Sequence, residues 1–397
     1  MTPVQNNRDT DTGAFRRPAI DLIYFDAGGG HRAAANALNS VLKEQGRPWE
    51  IRLINLQELL DPLDVFRKVT RIRLEDIYNK MLNKGWTLGS AQLLRGMQLV
   101  IRMNHAPAVR LLAKHWSETR PDMVVSLVPN LNKAMFDGLR AACPRVPYVS
   151  ILTDLADYPP HFWIERQQQC FLCGTERAVR QAMELGHPDG RIFRTSGMIL
   201  RPKFYEPLVV DRIAARAGLG LDSERAAALV MFGGQGSRVM LDIAERLGNS
   251  GLPLQLIMIC GRNESLAAKL RSLRLPVPMH VEGFTSEIPY FMHLADFFIG
   301  KPGPGSISEA IAMKLPVIVE RNAWTLPQER YNAEWVTENR VGLVVRNFRE
   351  IVTATGRLLP PGTLDSYRAN AAAIRNRAVF EIPDILERIL AGTVADR

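Results

Sequence analysis

The chain has 397 residues, 46% hydrophobic and 23% charged, with a net charge of +9. That length and composition fit two globular domains with full cores and exclude a fibrous or wholly disordered chain. The positive balance suits an acidic partner: nucleic acid, anionic lipid or a phosphorylated substrate.

Residues 1–17 are polar and aperiodic. They lack the apolar centre of a secretion signal and are expected to form a disordered tail. No apolar run approaches the ~18 residues of a membrane span, so a cytosolic protein is expected, with any membrane contact peripheral. Four cysteines (Cys143, Cys170, Cys173, Cys260) are too few for a disulfide framework.

From residue 18 the pattern alternates. "AIDLIYFDA" reads as a strand and "HRAAANALNSVLKEQG" as a helix ending in glycine. "WEIRLINL" is a second strand, and residues 63–119 read as largely helical. "PDMVVSLV", "PYVSILTD" and "QCFLCGT" are further strands, with helices "NKAMFDGLRAAC" and "ERAVRQAMELG" among them. Cys170 and Cys173 fall within that last strand on opposite faces, which predicts structural thiols. "TSGMILRPKFYEP" breaks the rhythm and marks a boundary near residue 200. Alternation restarts at "AAALVMFGG" and runs through "LQLIMICG", "PMHVEGF", "DFFIGKPG" and "LPVIVE", each separated from the next by a helical segment. Such order predicts an α/β chain of two doubly wound domains with parallel sheets, 18–200 and 201–363, and a helical tail 364–397.

Three glycine-rich stretches follow strands and precede helices: Gly28-Gly29-Gly30, "FGGQGSR" (232–238) and "GKPGPGS" (300–306). Helix starts offer unpaired N–H groups and partial positive charge, and glycine lets an anion approach. None matches the dinucleotide or Walker patterns, which disfavours a nicotinamide enzyme and a P-loop ATPase. Any one loop alone is as well explained by a tight βα turn. Ser306 and Ser308 are read as caps. Glu309, read as lying in the first turn, suits either helix capping or bidentate binding of a ribose diol.

"GGGHRAAANAL", "GKPGPGSISEAIAMKLPVIV" and "PQERYNAEWV" together resemble monogalactosyldiacylglycerol synthases and processive diacylglycerol glucosyltransferases. The resemblance runs over about residues 20–345. It implies a GT-B fold, two Rossmann-like domains facing a cleft. The first would take a lipid acceptor and the second a UDP-sugar, with the last helix crossing back. The implied reaction is inverting transfer of a hexose from UDP-galactose or UDP-glucose to diacylglycerol or a similar lipid, with no tightly bound cofactor or metal. Pro302 and the segment "RNAWTL" with Trp324 depart from the family pattern and leave the donor sugar open.

Within that frame, inverting transfer needs a base with a pKa near working pH. His31, at a helix start, and Asp154, just after a strand, are the catalytic candidates; capping or orienting roles are the alternatives. Gly29, Gly30, His161 and Trp163 are placed at the acceptor. Gly234, Gln235, Gly236, Ser237 and Arg238 are placed at the diphosphate, as are Gly303, Gly305 and Ser306. Gly283 and Phe284 would frame the base of the nucleotide, with Arg262 near it. Glu309 would hold the ribose, and Gln328 and Glu329 the sugar.

Residues 66–120 contain eleven Lys/Arg against three Asp/Glu. Their mixture of apolar side chains and cations suits an anionic bilayer surface, with Trp86, Leu93, Arg95, Arg102 and Arg110 as contacts. A solvated amphipathic helix is the alternative. Nucleic acid fits poorly, since no recognition motif is visible. The expected location is the inner face of the cell membrane. Rival functions are a UDP-N-acetylglucosamine 2-epimerase and a non-catalytic binder of lipid or nucleotide-sugar.

Overall fold

The computed structural model describes residues 16–26, 29–63, 90–159 and 161–392. Two six-stranded sheets dominate it. The first holds β1 (Ala19–Tyr24), β2 (Glu50–Asn55), β3 (Met123–Ser126), β4 (Tyr148–Ile151), β5 (Cys170–Cys173) and β6 (Ile192–Arg194) in the order β2-β1-β3-β4-β5-β6. The second holds β7 (Ala226–Met231), β8 (Leu254–Ile259), β9 (Met279–Glu282), β10 (Phe297–Gly300), β11 (Val317–Glu320) and β12 (Gly342–Val345) in the order β12-β11-β10-β7-β8-β9. Every pairing is parallel.

Helices cover both faces of each sheet, so the strands are near-continuous apolar runs. In β1, Ile20 and Leu22 enter one core and Ile23 the other. In β7, Leu229 and Met231 face one side and Ala228 and Val230 the opposite side. Asp21 interrupts β1 with no exposed surface. Arg52 Nε at 2.7 Å and Trp116 Nε1 at 3.1 Å donate to its carboxylate, which removes the penalty of an unpaired buried acid. Cys170 and Cys173 are buried in β5, and desolvation lifts their thiols to about 11 and about 12, so they are inert side chains of the core.

The segment expected to be helical from 63 to 119 contains helices Ser90–Met103 and His105–Thr119. Residues 64–89, and with them Trp86, lie outside the described residues. No helix among the described residues is long and apolar enough to cross a membrane.

The chain returns to the first sheet at its end. Helix Pro361–Ala373 sits with the second sheet, where Ala371 joins the core. Asn376 then donates to the Met198 carbonyl at 2.9 Å, and the Ser196 N–H donates to Glu381 at 2.8 Å. Helix Ala378–Leu390 places Ile382, Ile385, Leu386 and Ile389 in the core of the first sheet, beside Leu38 and Leu42. Arg47 fixes its outer face through Glu387 at 2.6 Å and through Asp384. Leu386 has no exposed surface. Leu386→Ala is therefore expected to cost about 2–5 kcal/mol of stability through lost burial and a cavity. Urea unfolding checks this; an unchanged midpoint would show that the returning helix is not part of the cooperative unit.

Candidate active site

In a doubly wound sheet, the chain leaves its starting strand in opposite directions, and the loops at that divergence leave a crevice beyond the carboxyl ends of the strands. The first sheet diverges between β1 and β3, and the second between β7 and β10. Both glycine-rich loops of the second half, after β7 and after β10, therefore sit at its switch point. The loop after β1 sits at the other.

Gly29 is the N-cap of helix Gly30–Glu44 at φ 79°, a left-handed conformation that glycine adopts without a Cβ clash. His31 follows in the first turn. Its Nδ1 lies 2.9 Å from Thr153 Oγ1, and its ring centroid 6.1 Å from that of Trp163. The residue is half-buried, with its ring packed beside Thr153 and Trp163. Desolvation drops its pKa to about 4, against a smaller upward pull from a hydrogen bond to the Leu127 backbone. The helix start acts in the same direction as desolvation. The imidazole is neutral at physiological pH.

Asp154 lies buried after β4 and accepts from Trp163 Nε1 at 2.8 Å. Desolvation raises it to about 7, against that hydrogen bond. Glu329 pushes it further up, as does Asp157, while Lys301 pulls it down. Glu329 and Lys301 belong to the second sheet's half, so the two crevices face one another. Arg177 over the Tyr331 ring at 6.0 Å is a second contact across the same gap. Asp157 accepts the Trp163 backbone N–H at 2.7 Å and is itself raised to about 6, chiefly by desolvation.

Trp163 has no exposed surface. That corrects its placement at an acceptor: the ring is enclosed and its Nε1–H is bonded to Asp154. His161 is exposed, at φ 58°, and its Nδ1 lies 2.7 Å from Glu165 Oε2.

Across the gap, Gly261 after β8 has φ +59°, and a Cβ there would lie 2.3 Å from the Gly234 carbonyl oxygen. Only glycine lets this loop reach the one after β7, where the Arg262 N–H donates to that same oxygen at 2.9 Å. Gly234, Gln235 and Arg238 are exposed, and Gly236 and Ser237 half-buried. The Arg262 guanidinium stacks 4.7 Å over Phe284, whose ring is 63% exposed beside Gly283. That leaves an open aromatic face at the edge of the crevice.

Helix Pro304–Ala312 starts after β10 with Gly303 as N-cap and no side-chain cap. Pro304 occupies the first position, where its missing N–H costs nothing. This corrects two expectations. Ser306 and Ser308 do not cap the helix, and Glu309 lies in the second turn rather than the first. Gly305 and Ser306 stay at the helix start. Glu309 is half-buried and raised to about 7 by desolvation, which Arg201 only partly offsets. Glu329 is buried, with Gln328 half-buried before it, and Lys301 Nζ lies 3.2 Å from Glu329 Oε1.

Of the basic segment, Leu93 and Arg95 fall on helix Ser90–Met103. Arg102 and Arg110 are exposed on the two described helices. None of the four is among the residues around Asp154. Sequence reasoning missed Thr153, Asp157 and Lys301. Thr153 carried a signal as the partner of Asp154 in a family-like Thr-Asp pair, and Lys301 one as a lone cation in a glycine-proline loop after a strand.

Residues 228–356 match the model of the glycosyltransferase family 28 C-terminal domain. The chain is 28% identical to a probable chloroplastic monogalactosyldiacylglycerol synthase of Nicotiana tabacum, over 96% of this chain and 72% of that protein. It is 27% identical to the monogalactosyldiacylglycerol synthase of Spinacia oleracea, over 93% and 72%. The chain is a glycosyltransferase, and it is similar to monogalactosyldiacylglycerol synthases along most of its length. Its fold is the GT-B arrangement. MurG of Acinetobacter baumannii superposes with a TM-score of 0.60 at 11% identity, over 94% of this chain and all of that one. The UDP-GlcNAc 2-epimerase of Neisseria meningitidis, bound to UDP-GlcNAc, superposes at 0.57 and 13% identity, over 94% and 100%.

The glycosyltransferase thus carries, in one cleft, a carboxyl whose folded pKa stands well above its ordinary value. Between about pH 4 and about 7 the folded protein holds a proton on Asp154 that the unfolded chain releases. The stability contributed by this group is full below about 4 and is lost as pH rises through about 7. Asp154→Asn cannot ionise. Its melting temperature, relative to the parent, is expected to rise from about pH 5 to about pH 8. A constant difference across that range in thermal scans would refute the raised pKa.

Proposed function

We propose that this glycosyltransferase moves a hexose, galactose or glucose, from a UDP-sugar to a lipid hydroxyl, with diacylglycerol as the foremost acceptor, and inverts the sugar. The observation that carries this reading is the pairing across one cleft. On one side is a base-like group, Asp154, with His31 beside its Trp163 partner. On the other are two glycine-rich loops and a helix start suited to a diphosphate. The names of the chloroplastic relatives supply the lipid and the galactose. The neighbouring structures bound to UDP or UDP-GlcNAc agree with a uridine nucleotide donor.

In this reading the diphosphate lies against Gly234–Arg238 and Gly303–Ser306. Arg262, Gly283 and Phe284 frame the uracil, Glu309 holds the ribose, and Gln328 and Glu329 hold the sugar. The acceptor enters past Gly29, Gly30 and His161. Its oxygen attacks the anomeric carbon from the face opposite the diphosphate. Asp154 takes the acceptor proton, since its pKa of about 7 matches working pH. His31, neutral and fixed by Thr153, orients the hydroxyl.

The acceptor implies a membrane. Helix Ser90–Met103 exposes Leu99 at 58%, Val100 at 48% and Met103 at 75%, next to exposed Arg102. Apolar side chains beside cations suit peripheral docking on anionic lipid. Arg110 extends that basic surface.

Protein mixed with UDP-galactose or UDP-glucose and diacylglycerol in phosphatidylglycerol vesicles is expected to yield a hexosyl lipid and UDP, read by mass spectrometry. An isomerised nucleotide-sugar with no lipid product would support the epimerase reading instead. Asp154→Asn should lower turnover roughly 10²–10⁴-fold, and parent kcat/KM should rise with pH through about 7. A rising limb near 4, with Asp154→Asn active, would transfer the base role to His31. Glu309→Ala should weaken UDP binding by about 1.5–3 kcal/mol per lost charge-assisted bond, read by calorimetry. Unchanged affinity in the folded variant would remove Glu309 from the site.

A further inference from the structure

We propose that Lys301 is the cation that holds the diphosphate of the donor and neutralises the charge developing on it as it leaves. This rests on the donor reading above and adds to it a residue that the resemblance did not assign.

The position comes from the sheet. Lys301 follows β10 directly, at the divergence between β7 and β10. Its side chain lies between the two glycine loops. Its Cε stands 3.4 Å from where a Cβ of Gly303 would be and 3.9 Å from where one of Gly233 would be. A side chain at either glycine would crowd the lysine and close the space beside it. The two loops that present backbone N–H groups thus leave room around one ammonium.

That ammonium is loosely held. Its distance to Glu329 Oε1 is 3.2 Å, longer than the 2.7–2.9 Å typical of a bond between full charges. Glu329 is 10% exposed in its side chain, while Lys301 is 44% exposed. The carboxylate is the buried member of the pair and the ammonium the exposed one. Of the other cations, Arg262 stacks on Phe284 and Arg201 donates to the Ser286 carbonyl, while Arg238 is exposed at the far end of the loop after β7. Asp154, across the gap, registers the charges of both Lys301 and Glu329, so the pair borders the space where the reaction is proposed.

The chemistry then balances without a further reagent. The acceptor oxygen forms its bond to the anomeric carbon as the bond from that carbon to the diphosphate oxygen breaks. The bonding electron pair stays on the diphosphate, and the acceptor proton passes to the base. Lys301 donates to the oxygen that receives the electron pair, exchanging Glu329 for phosphate. A fixed cation aimed at developing charge favours the transition state over the ground state.

The test is calorimetric titration of the full chain with UDP and with uridine, on the parent, Lys301→Met, Lys301→Arg and Glu329→Gln. Lys301→Met is expected to weaken UDP roughly 10–100-fold, the loss of one charge-assisted bond, and leave uridine unchanged. Lys301→Arg should restore most of the UDP affinity and much of the turnover. Glu329→Gln, which frees the ammonium, should bind UDP as tightly as the parent or more tightly. Equal UDP affinity in parent and Lys301→Met overturns the role of Lys301 and leaves the donor reading standing. Equal weakening of UDP and uridine, or a Glu329→Gln loss matching that of Lys301→Met, assigns the ion pair to structure and overturns it too. A parent that binds no UDP overturns the donor reading and this inference together. Should Lys301→Met fail to fold, as circular dichroism would show, the Lys301→Arg and Glu329→Gln titrations decide.

Discussion

The structure depends on one topological constraint. A parallel sheet that is filled outward on both sides of a starting strand must send two neighbouring loops in opposite directions. Here that happens after β1 and β3 and again after β7 and β10. The gap so created is lined by backbone N–H groups and by whatever side chains follow the strands. In the first half these are His31, Thr153 and Asp154; in the second, Lys301 and the loop from Gly233 to Arg238. The returning helix Ala378–Leu390 packs into the core of the first sheet, so the chain joins the two halves twice. Asp154 senses Glu329 and Lys301 because the two gaps are turned toward each other.

The net charge of +9 is a poor guide to the cleft. Asp154, Asp157 and Glu309 are all raised by desolvation, to about 7, about 6 and about 7. Burial shifts each of them toward the protonated form, and each sits within hydrogen-bonding or electrostatic reach of a group that modulates it. The proposed diphosphate site gains from this. Fully ionised carboxylates would repel the donor, whereas half-protonated ones accept or donate hydrogen bonds as the ligand requires. The excess positive charge lies mostly in residues 66–120.

The alternation of strands and helices was legible because buried parallel strands are short runs of Val, Ile, Leu and Ala, bounded by glycine loops. The loops themselves were legible as positions where a Cβ does not fit, as Gly261 shows. What could not be read was which side chains converge. Asp154 and Lys301 are 147 positions apart (301 − 154) and belong to different sheets, and no local periodicity connects them. Glu309 looked like a first-turn residue because "GSIS" resembles a capping sequence. Pro304 starts the helix earlier, since a proline costs nothing at the first position and fixes φ there. Trp163 is placed at the acceptor by the family resemblance alone. Its indole N–H, however, needs a buried acceptor once the ring is enclosed, and Asp154 supplies it. Thr153 was visible as part of a family-like Thr-Asp pair, but its role was not; only the fold brings it to His31.

The charges in the cleft also limit how the reaction can run. A diphosphate arriving opposite Asp154 would raise the pKa of that carboxyl further, because like charges disfavour ionisation. A base pushed well above working pH is mostly protonated and cannot accept another proton. In the proposed reaction a compensating cation would serve both partners: it would stabilise the leaving group and keep Asp154 ionisable. Lys301 already acts in that sense on Asp154 in the absence of ligand, opposing Glu329. If the lysine moves from Glu329 to phosphate, Glu329 is freed for the sugar hydroxyls in the same step. Donor binding would then rearrange one ion pair into two new contacts, one at the phosphate and one at the sugar. Nucleotide alone would make only the first of them. On this account the cleft distinguishes a nucleotide-sugar from its product by which partner Glu329 holds.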